Sequence, residues 1–394
     1  MDTFIQFHRP WIDEDEEREV IETLRSGWLT TGERTQRFEV DFACYAEASY
    51  AVGVNSCTAA LFLSLKSLLI GPGDEVITTP MTFAASANVV IHTGARPVFV
   101  DIDPVTMNIN PELIERAITK KTRAILPVHF RGVPCDMDAI TAVARKYDLY
   151  VIEDAAHAIE SRYSADRSAS GGKDKKIGSI SDTTCFSFYP NKNITTGEGG
   201  MVTTGREELA NKIRMLSNHG LSRTSWQRYS PGGGPLYEVI EPGYKFNMFD
   251  IQAALGIHQL KKIETFWERR RDIVRRYNEA FSGLPQVTVP PDVPDGKNAY
   301  HIYVLLLNSE RITITRDELL EKLTAEGIGT SVHFLSLHLH KYYREYFGYG
   351  SGDYPVAADV SRRTFSLPLY PRLSDEEVDR VIETVIRVCS TYAR

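Results

Sequence analysis

The sequence lacks most of what marks the specialised classes of protein. Cysteine is scarce: Cys44, Cys57, Cys135, Cys185 and Cys389 are five in 394 residues, an odd number, widely spaced, with no Cys-x-x-Cys pair. That argues against a disulfide scaffold and against a cysteine-zinc site. No apolar run reaches 18 residues, so no transmembrane helix is expected. Met1 to Val20 is acidic, without the basic start and apolar stretch of a signal peptide. Positive charge is not in excess: 45 Lys and Arg face 52 Asp and Glu, a net −7. Such a chain has no general pull on nucleic acid or anionic membrane. GxGxxG, the P-loop lysine and the GxSxG elbow are all missing, so dinucleotide, triphosphate and serine-hydrolase sites are not indicated. His333, His338 and His340 invite a metal reading, and the last two would share a face on a strand. No nearby carboxylate or cysteine completes that set, and no metal is expected. What remains, 42% hydrophobic and 25% charged residues, is the profile of a soluble globular protein, read as a cytoplasmic enzyme.

Short apolar runs alternate with helical patterns through the first third of the chain. Strands are expected at Tyr50–Val54, Glu75–Thr79, Pro97–Ile102, Ala124–Val128 and Leu149–Ile152. Helices are expected between them at Ser56–Leu69, Phe83–Thr93, Pro111–Thr119 and Met137–Lys146. This alternation predicts an α/β fold with a large, mostly parallel sheet flanked by helices. In such sheets ligands bind outside the carboxyl ends of the strands. Shorter strands follow at Thr183–Phe188, Gly200–Thr204 and near Glu238. Gly171 to Lys176 reads as an exposed loop and Pro231 to Pro235 as a mobile one. A long helix is expected over Asp250–Phe281, ended by the Pro-rich stretch to Pro294. It carries a domain boundary: residues 1–255 as a large domain and 256–394 as a smaller α+β domain. The smaller one has strands near His301–Leu307 and Ser331–Phe334, and helices near Arg316–Glu326 and Ser374–Cys389.

Three segments at strand ends can carry chemistry. Asp154 closes the apolar run Tyr150-Val151-Ile152, where a carboxylate either faces the ligand crevice or caps a helix. Lys192 follows the aromatic run Phe186-Ser187-Phe188-Tyr189 and precedes Thr195-Thr196-Gly197-Glu198-Gly199-Gly200. Lysines are mostly solvated. In a desolvated pocket, however, the amine loses its proton more readily and attacks carbonyls. The glycines beside it allow positive φ and close backbone approach. Asn55-Ser56-Cys57-Thr58 joins a strand to a helix, so it either caps that helix or offers N–H and hydroxyl groups to an anion.

In this order these pieces resemble the DegT–StrS family of nucleotide-sugar aminotransferases. The resemblance runs from Trp28-Leu29-Thr30-Thr31-Gly32 to Ser366-Leu367-Pro368-Leu369 and is strongest at Glu153–His157, Phe186–Gly200 and Gly243–Leu255. It implies the fold-type-I architecture, pyridoxal 5′-phosphate (PLP) as cofactor, and a homodimer with composite sites. It implies that Lys192 attaches PLP and shuttles the proton, and that Asp154 pairs with the pyridinium nitrogen. His157 would touch the ring oxygen, with Cys57, Thr58 and Ser187 on the phosphate and Phe83 over the ring face. Many relatives read G-Y-N-Y-R-M where the chain reaches the neighbouring subunit's cofactor phosphate. Here it reads Gly243-Tyr244-Lys245-Phe246-Asn247-Met248, and Lys245 and Asn247 are both donors. That variant resembles the branch acting on a UDP-4-keto-pentose in lipid A modification, the UDP-4-amino-4-deoxy-L-arabinose–oxoglutarate type. Gly329–Phe334 resembles the UDP-sugar 4-aminotransferases and makes His333 the substrate-side candidate.

The function implied is transfer of an amino group from L-glutamate to the keto carbon, at C4, of a UDP-linked keto sugar, for a surface glycan or lipid A. Two rivals stand beside it. Related PLP-dependent sugar dehydratases replace the lysine with histidine, and Lys192 argues against that activity. A non-catalytic regulatory protein on the same fold would be expected to lose some of Lys192, Asp154 and Ser187.

Overall fold

The structure, a computed structural model, describes residues 4–164, 174–223, 225–229, 234–291 and 296–394. Its centre is a seven-stranded sheet. The strands are β1 (Tyr50–Val54), β2 (Glu75–Thr78), β3 (Arg96–Phe99), β4 (Thr122–Leu126), β5 (Tyr150–Asp154), β8 (Thr183–Ser187) and β9 (Gly200–Thr204). A two-stranded pair, β6 (Arg162–Tyr163) and β7 (Lys175–Lys176), lies between β5 and β8 in the chain. The order across the sheet is β1-β9-β8-β5-β4-β2-β3. All its strands run parallel except β9, which is antiparallel to both β1 and β8.

Both faces of the sheet are covered, and neighbouring residues on a strand point to opposite cores. Ile77, Ile125, Val151, Phe186 and Met201 join one cluster with the helices Glu33–Tyr45 and Met137–Tyr147. Val76, Leu126, Ile152, Cys185 and Val202 join the other with Cys57–Ser67 and Glu207–Leu216. A period of two with both faces buried gives the continuous apolar runs of a parallel sheet.

A second sheet, β10 (Val287–Thr288), β11 (Tyr303–Leu307) and β12 (Thr364–Leu367), is antiparallel and has a core of its own. The helix Asp250–Phe281 serves both cores: Ala253, Ile257 and Phe266 pack in the first, Ile273, Tyr277 and Phe281 in the second.

Most expected elements are present within a few residues, and the long helix has the expected ends. Several expectations need correction. Ser331–Phe334 is not a strand: a single bridge, Ser331 to Ser366, is all that it makes. Near Glu238 there is likewise one bridge, Leu221 to Val239. Lys175 and Lys176 are strand rather than loop. His338 sits in a 3₁₀ turn, Leu337–Leu339, so it and His340 share no strand face. A first helix, Glu14–Ser26, precedes the expected elements, and Asp13 and Glu16 form a capping box at its start. Gly171–Lys173, Pro231–Gly233 and the end of the Pro-rich stretch lie outside the described residues. No helix among the described residues is long and apolar enough to cross a membrane.

Candidate active site

One cavity of about 530 Å³ opens at the carboxyl edge of the central sheet. Cys57, Thr58, Phe83, Asp154, His157, Ser187, Lys192 and His333 all line it. Topology accounts for the convergence. Asp154 and Ser187 end the parallel strands β5 and β8. Because β9 runs the other way, its first residue, Gly200, arrives at the same edge, paired with both Val54 and Ser187. There it meets the start of the helix Cys57–Ser67: a Cβ on Gly200 would lie 2.6 Å from the Cys57 nitrogen. Only glycine permits that approach, and Gly197 nearby takes φ 78°.

The first-turn N–H groups of a helix have no intrahelical acceptor. Ser56 Oγ accepts from the Ala59 N–H at 3.1 Å. Cys57 and Thr58 follow it on the cavity wall, so this helix end both is capped and faces the cavity. Burial pushes the Cys57 thiol well up, which keeps it unreactive.

Asp154 is buried. Its Oδ2 accepts from Ser86 Oγ at 2.7 Å and its Oδ1 from the Ala156 N–H at 3.1 Å. Desolvation raises its carboxyl above the usual range, with the Ser86 bond and the charge of Lys192 opposing. A cation brought beside this carboxylate would be stabilised. No regular helix follows Asp154, so the capping alternative reduces to a local turn.

Lys192 Nζ lies 3.4 Å from His301 Nε2. Desolvation lowers the amine from 10.5 to about 8. His157 is buried, its Nδ1 has no partner among the described residues, and burial holds the ring neutral. His301 at 4.3 Å and Phe334 at 6.0 Å, ring centre to ring centre, flank it. His333 donates to or accepts from Ser366 Oγ at 2.9 Å, and burial takes its imidazole down to about 3. Phe83 is 65% exposed and so is not a core residue. The expected helix starts only at Ala85, leaving Phe83 on the loop at the cavity mouth.

Lys245 and Asn247 are not among the residues that line this cavity. Asn247 lines a second one of about 440 Å³, with its amide donating to Thr31 Oγ1 at 2.7 Å. Lys245 is exposed and donates to Asn218 Oδ1 at 3.3 Å. Sequence reasoning missed Ser86, Asn193 and His301. Each joins the site through a contact spanning at least 68 residues, for which no local pattern exists.

A sheet-edge cavity with a low-pKa lysine and a carboxylate that favours a cation can be compared with known proteins. The sequence model of the DegT/DnrJ/EryC1/StrS aminotransferase family matches residues 10–386. The chain belongs to that family. It is similar to the spore coat polysaccharide biosynthesis protein SpsC of Bacillus subtilis strain 168, 53% identical over 97% of this chain and 96% of that one. Among solved structures, the putative sugar aminotransferase Spr1654 of Streptococcus pneumoniae in its PMP form superposes with a TM-score of 0.90. It is 36% identical, over 98% of this chain and 99% of that one. Helicobacter pylori PseC, an aminotransferase of pseudoaminic acid biosynthesis, superposes at 0.89 with 28% identity, over 99% and 100% of the two chains. The fold is therefore type I, the cofactor is PLP, and the enzyme is a sugar aminotransferase. The residues fit that cofactor: a half-buried amine of low pKa, a carboxylate short of positive charge, an imidazole nitrogen without a partner among the described residues and a helix N-terminus facing inward share one cavity.

Proposed function

We propose that this aminotransferase moves an amino group from L-glutamate to the C4 keto carbon of a UDP-linked sugar, in the synthesis of a surface polysaccharide. The observation that carries the reading is one shared cavity, lined by Lys192 and Asp154 and also by Ser331–Phe334. Those four residues belong to Gly329–Phe334, the segment resembling UDP-sugar 4-aminotransferases. The polysaccharide role is supported by the name of the 53% identical SpsC.

Bound in this cavity, PLP supplies an electron sink for charge developing on the amino-bearing carbon. Asp154 would hold a proton on the ring nitrogen and so keep that sink deep. Ser86 and the Ala156 N–H fix the direction of its carboxylate. His157 would offer Nδ1 to the ring oxygen, Phe83 would cover the ring, and Cys57, Thr58 and Ser187 would take the phosphate. Lys192 would hold the cofactor through its amine, and that amine in its neutral form would carry the proton at glutamate's α-carbon and at the sugar's keto carbon. An amine with a pKa near 8 does both near neutral pH. His333, neutral and tied to Ser366, faces the sugar.

We place the enzyme in the cytoplasm as a homodimer, with Lys245 or Asn247 completing the partner's phosphate site. Exposed apolar residues close to that segment, Leu236, Val239 and Ile240, support a covered surface there. The experiment follows the visible band of bound PLP after L-glutamate is added, then after UDP-linked and dTDP-linked 4-keto sugars. Glutamate should convert the band to that of the pyridoxamine form, and the UDP-linked 4-keto sugar should restore it. A band indifferent to glutamate overturns the donor. Restoration only by another carrier, or only by a 3-keto sugar, overturns the acceptor.

A further inference from the structure

Behind Lys192 runs a chain of side chains whose hydrogen-bond directions can be assigned from one end. Arg270 and Glu160 form a buried ion pair. Asn193 Nδ2 donates to Glu160 Oε2 at 2.6 Å and to the Ala299 carbonyl at 3.0 Å. A carbonyl only accepts, so the amide cannot be turned round and Asn193 Oδ1 must be an acceptor. Its partner at 2.9 Å is His301 Nδ1, which therefore carries the hydrogen. The other ring nitrogen, Nε2, is left with a lone pair, 3.4 Å from Lys192 Nζ.

The ring has little freedom. The His301 N–H donates to the Arg131 carbonyl and the Ala299 N–H to that of Gly132, both at 3.2 Å. His157 packs against one side of the ring. At Gly132, with φ 91°, a Cβ would lie 2.9 Å from that of Ala299. Burial, with the charge of Lys192 adding to it, holds His301 neutral, so it accepts a hydrogen bond without taking the proton.

From this geometry we infer that His301, locked in one tautomer by Asn193 and Glu160, is a positioning residue for Lys192. It accepts an N–H of the free amine and so turns the amine's lone pair away from itself. The inference rests on Lys192 being the reacting amine, and it adds the residue that aims it.

The groups facing Lys192 are Asp154, Cys57, His157, His333, His8 and His301. An acceptor favours the ammonium form, so its loss lowers the amine further, whereas loosening of the pocket raises it towards an ordinary lysine. The two explanations therefore have opposite signs. The test labels cofactor-free protein with trace acetic anhydride across pH and reads Lys192 by peptide mass spectrometry. His301→Phe, which keeps a ring against His157, should move the midpoint down by about one pH unit. His301→Gln, which can present an oxygen near the Nε2 position, should hold it. In the PLP enzyme the Phe variant should lose about tenfold or more in kcat, with KM for glutamate nearly unchanged and recovery by Gln. Asn193→Ala, which frees the tautomer, should shift the midpoint in the same direction and stands in if the Phe variant does not fold. A midpoint that stays or rises in these variants overturns the inference and leaves the proposed function intact. Full transamination by Lys192→Ala would overturn both.

Discussion

Strand β5 ends in two carboxylates that are neighbours in the chain, both buried, and unlike in circumstance. Glu153 faces one side of the sheet, where its Oε2 meets His129 Nε2 and its Oε1 accepts from Thr184 Oγ1, both at 2.8 Å. The Cys135 N–H donates to His129 Nδ1 at 3.0 Å, so Nε2 bears the hydrogen that Glu153 accepts. Asp154 faces the cavity with a hydroxyl and one backbone N–H for partners. The alternation of a β-strand sends one residue to bind the sheet together and the next to bind a ligand. Burial alone does not separate the two roles, and each carboxylate has one partner on each oxygen; what separates them is that Asp154 lines the cavity and Glu153 does not.

The sharpest way to break this comparison is to neutralise each carboxylate in turn. Asp154→Asn should lower turnover by about a hundredfold or more, as expected when a proton on the cofactor ring is no longer held. The fold should survive, because the change relieves a buried charge. Unaltered steady-state transamination would refute the role given to Asp154. Glu153→Gln should reverse the pattern. Its amide meets His129 or Thr184 donor to donor, costing about 1–3 kcal/mol of unfolding free energy, while kcat per folded molecule holds. Calorimetry and active-site titration of the same sample read both quantities. If Glu153→Gln matched Asp154→Asn in kcat, the division of labour would be wrong.

A third test uses proton linkage in the cofactor-free protein. Lys192 falls from 10.5 to about 8 on folding, so between those values the unfolded chain binds more protons and stability rises with pH. Below about pH 8 the full penalty is present; above 10.5 it is gone. Lys192→Met should remove that rise and stabilise the protein at pH 7 by about 2 kcal/mol, the shift being discounted for the cavity's access to water. Denaturation midpoints at pH 7 and pH 10 decide it. The smallest effect concerns the segment the cavity does not include. In the proposed homodimer Lys245, exposed on a single long bond, would be freer to reach the partner's cofactor than Asn247, which is engaged with Thr31. Lys245→Ala should weaken PLP retention by about tenfold and Asn247→Ala by less, measured by cofactor loss on dialysis. The reverse order would assign the phosphate contact to Asn247.

What the sequence makes legible follows from range. The apolar runs that place Asp154 and Ser187 at strand ends are local, and so are the glycines that bring Gly200 against Cys57. Tyr50–Val54, Gly200–Thr204 and Asp250–Phe281 could be read to the residue for the same reason. Ser331–Phe334 looks like a strand by composition, but only Ser331 makes a bridge, to Ser366 on the outer edge of β12. Ser86, Asn193 and His301 carry no local mark, because their roles arise from partners elsewhere in the chain.

The helix Asp250–Phe281 is about 48 Å long at 1.5 Å per residue, and each half is anchored in a different core. Losing either core strips half the apolar contacts from one continuous hydrogen-bonded rod, and helices of that kind depend on tertiary packing. The two cores are thereby joined into one cooperative unit. Heating should destroy the two sheets in a single transition, and the catalytic cavity with them.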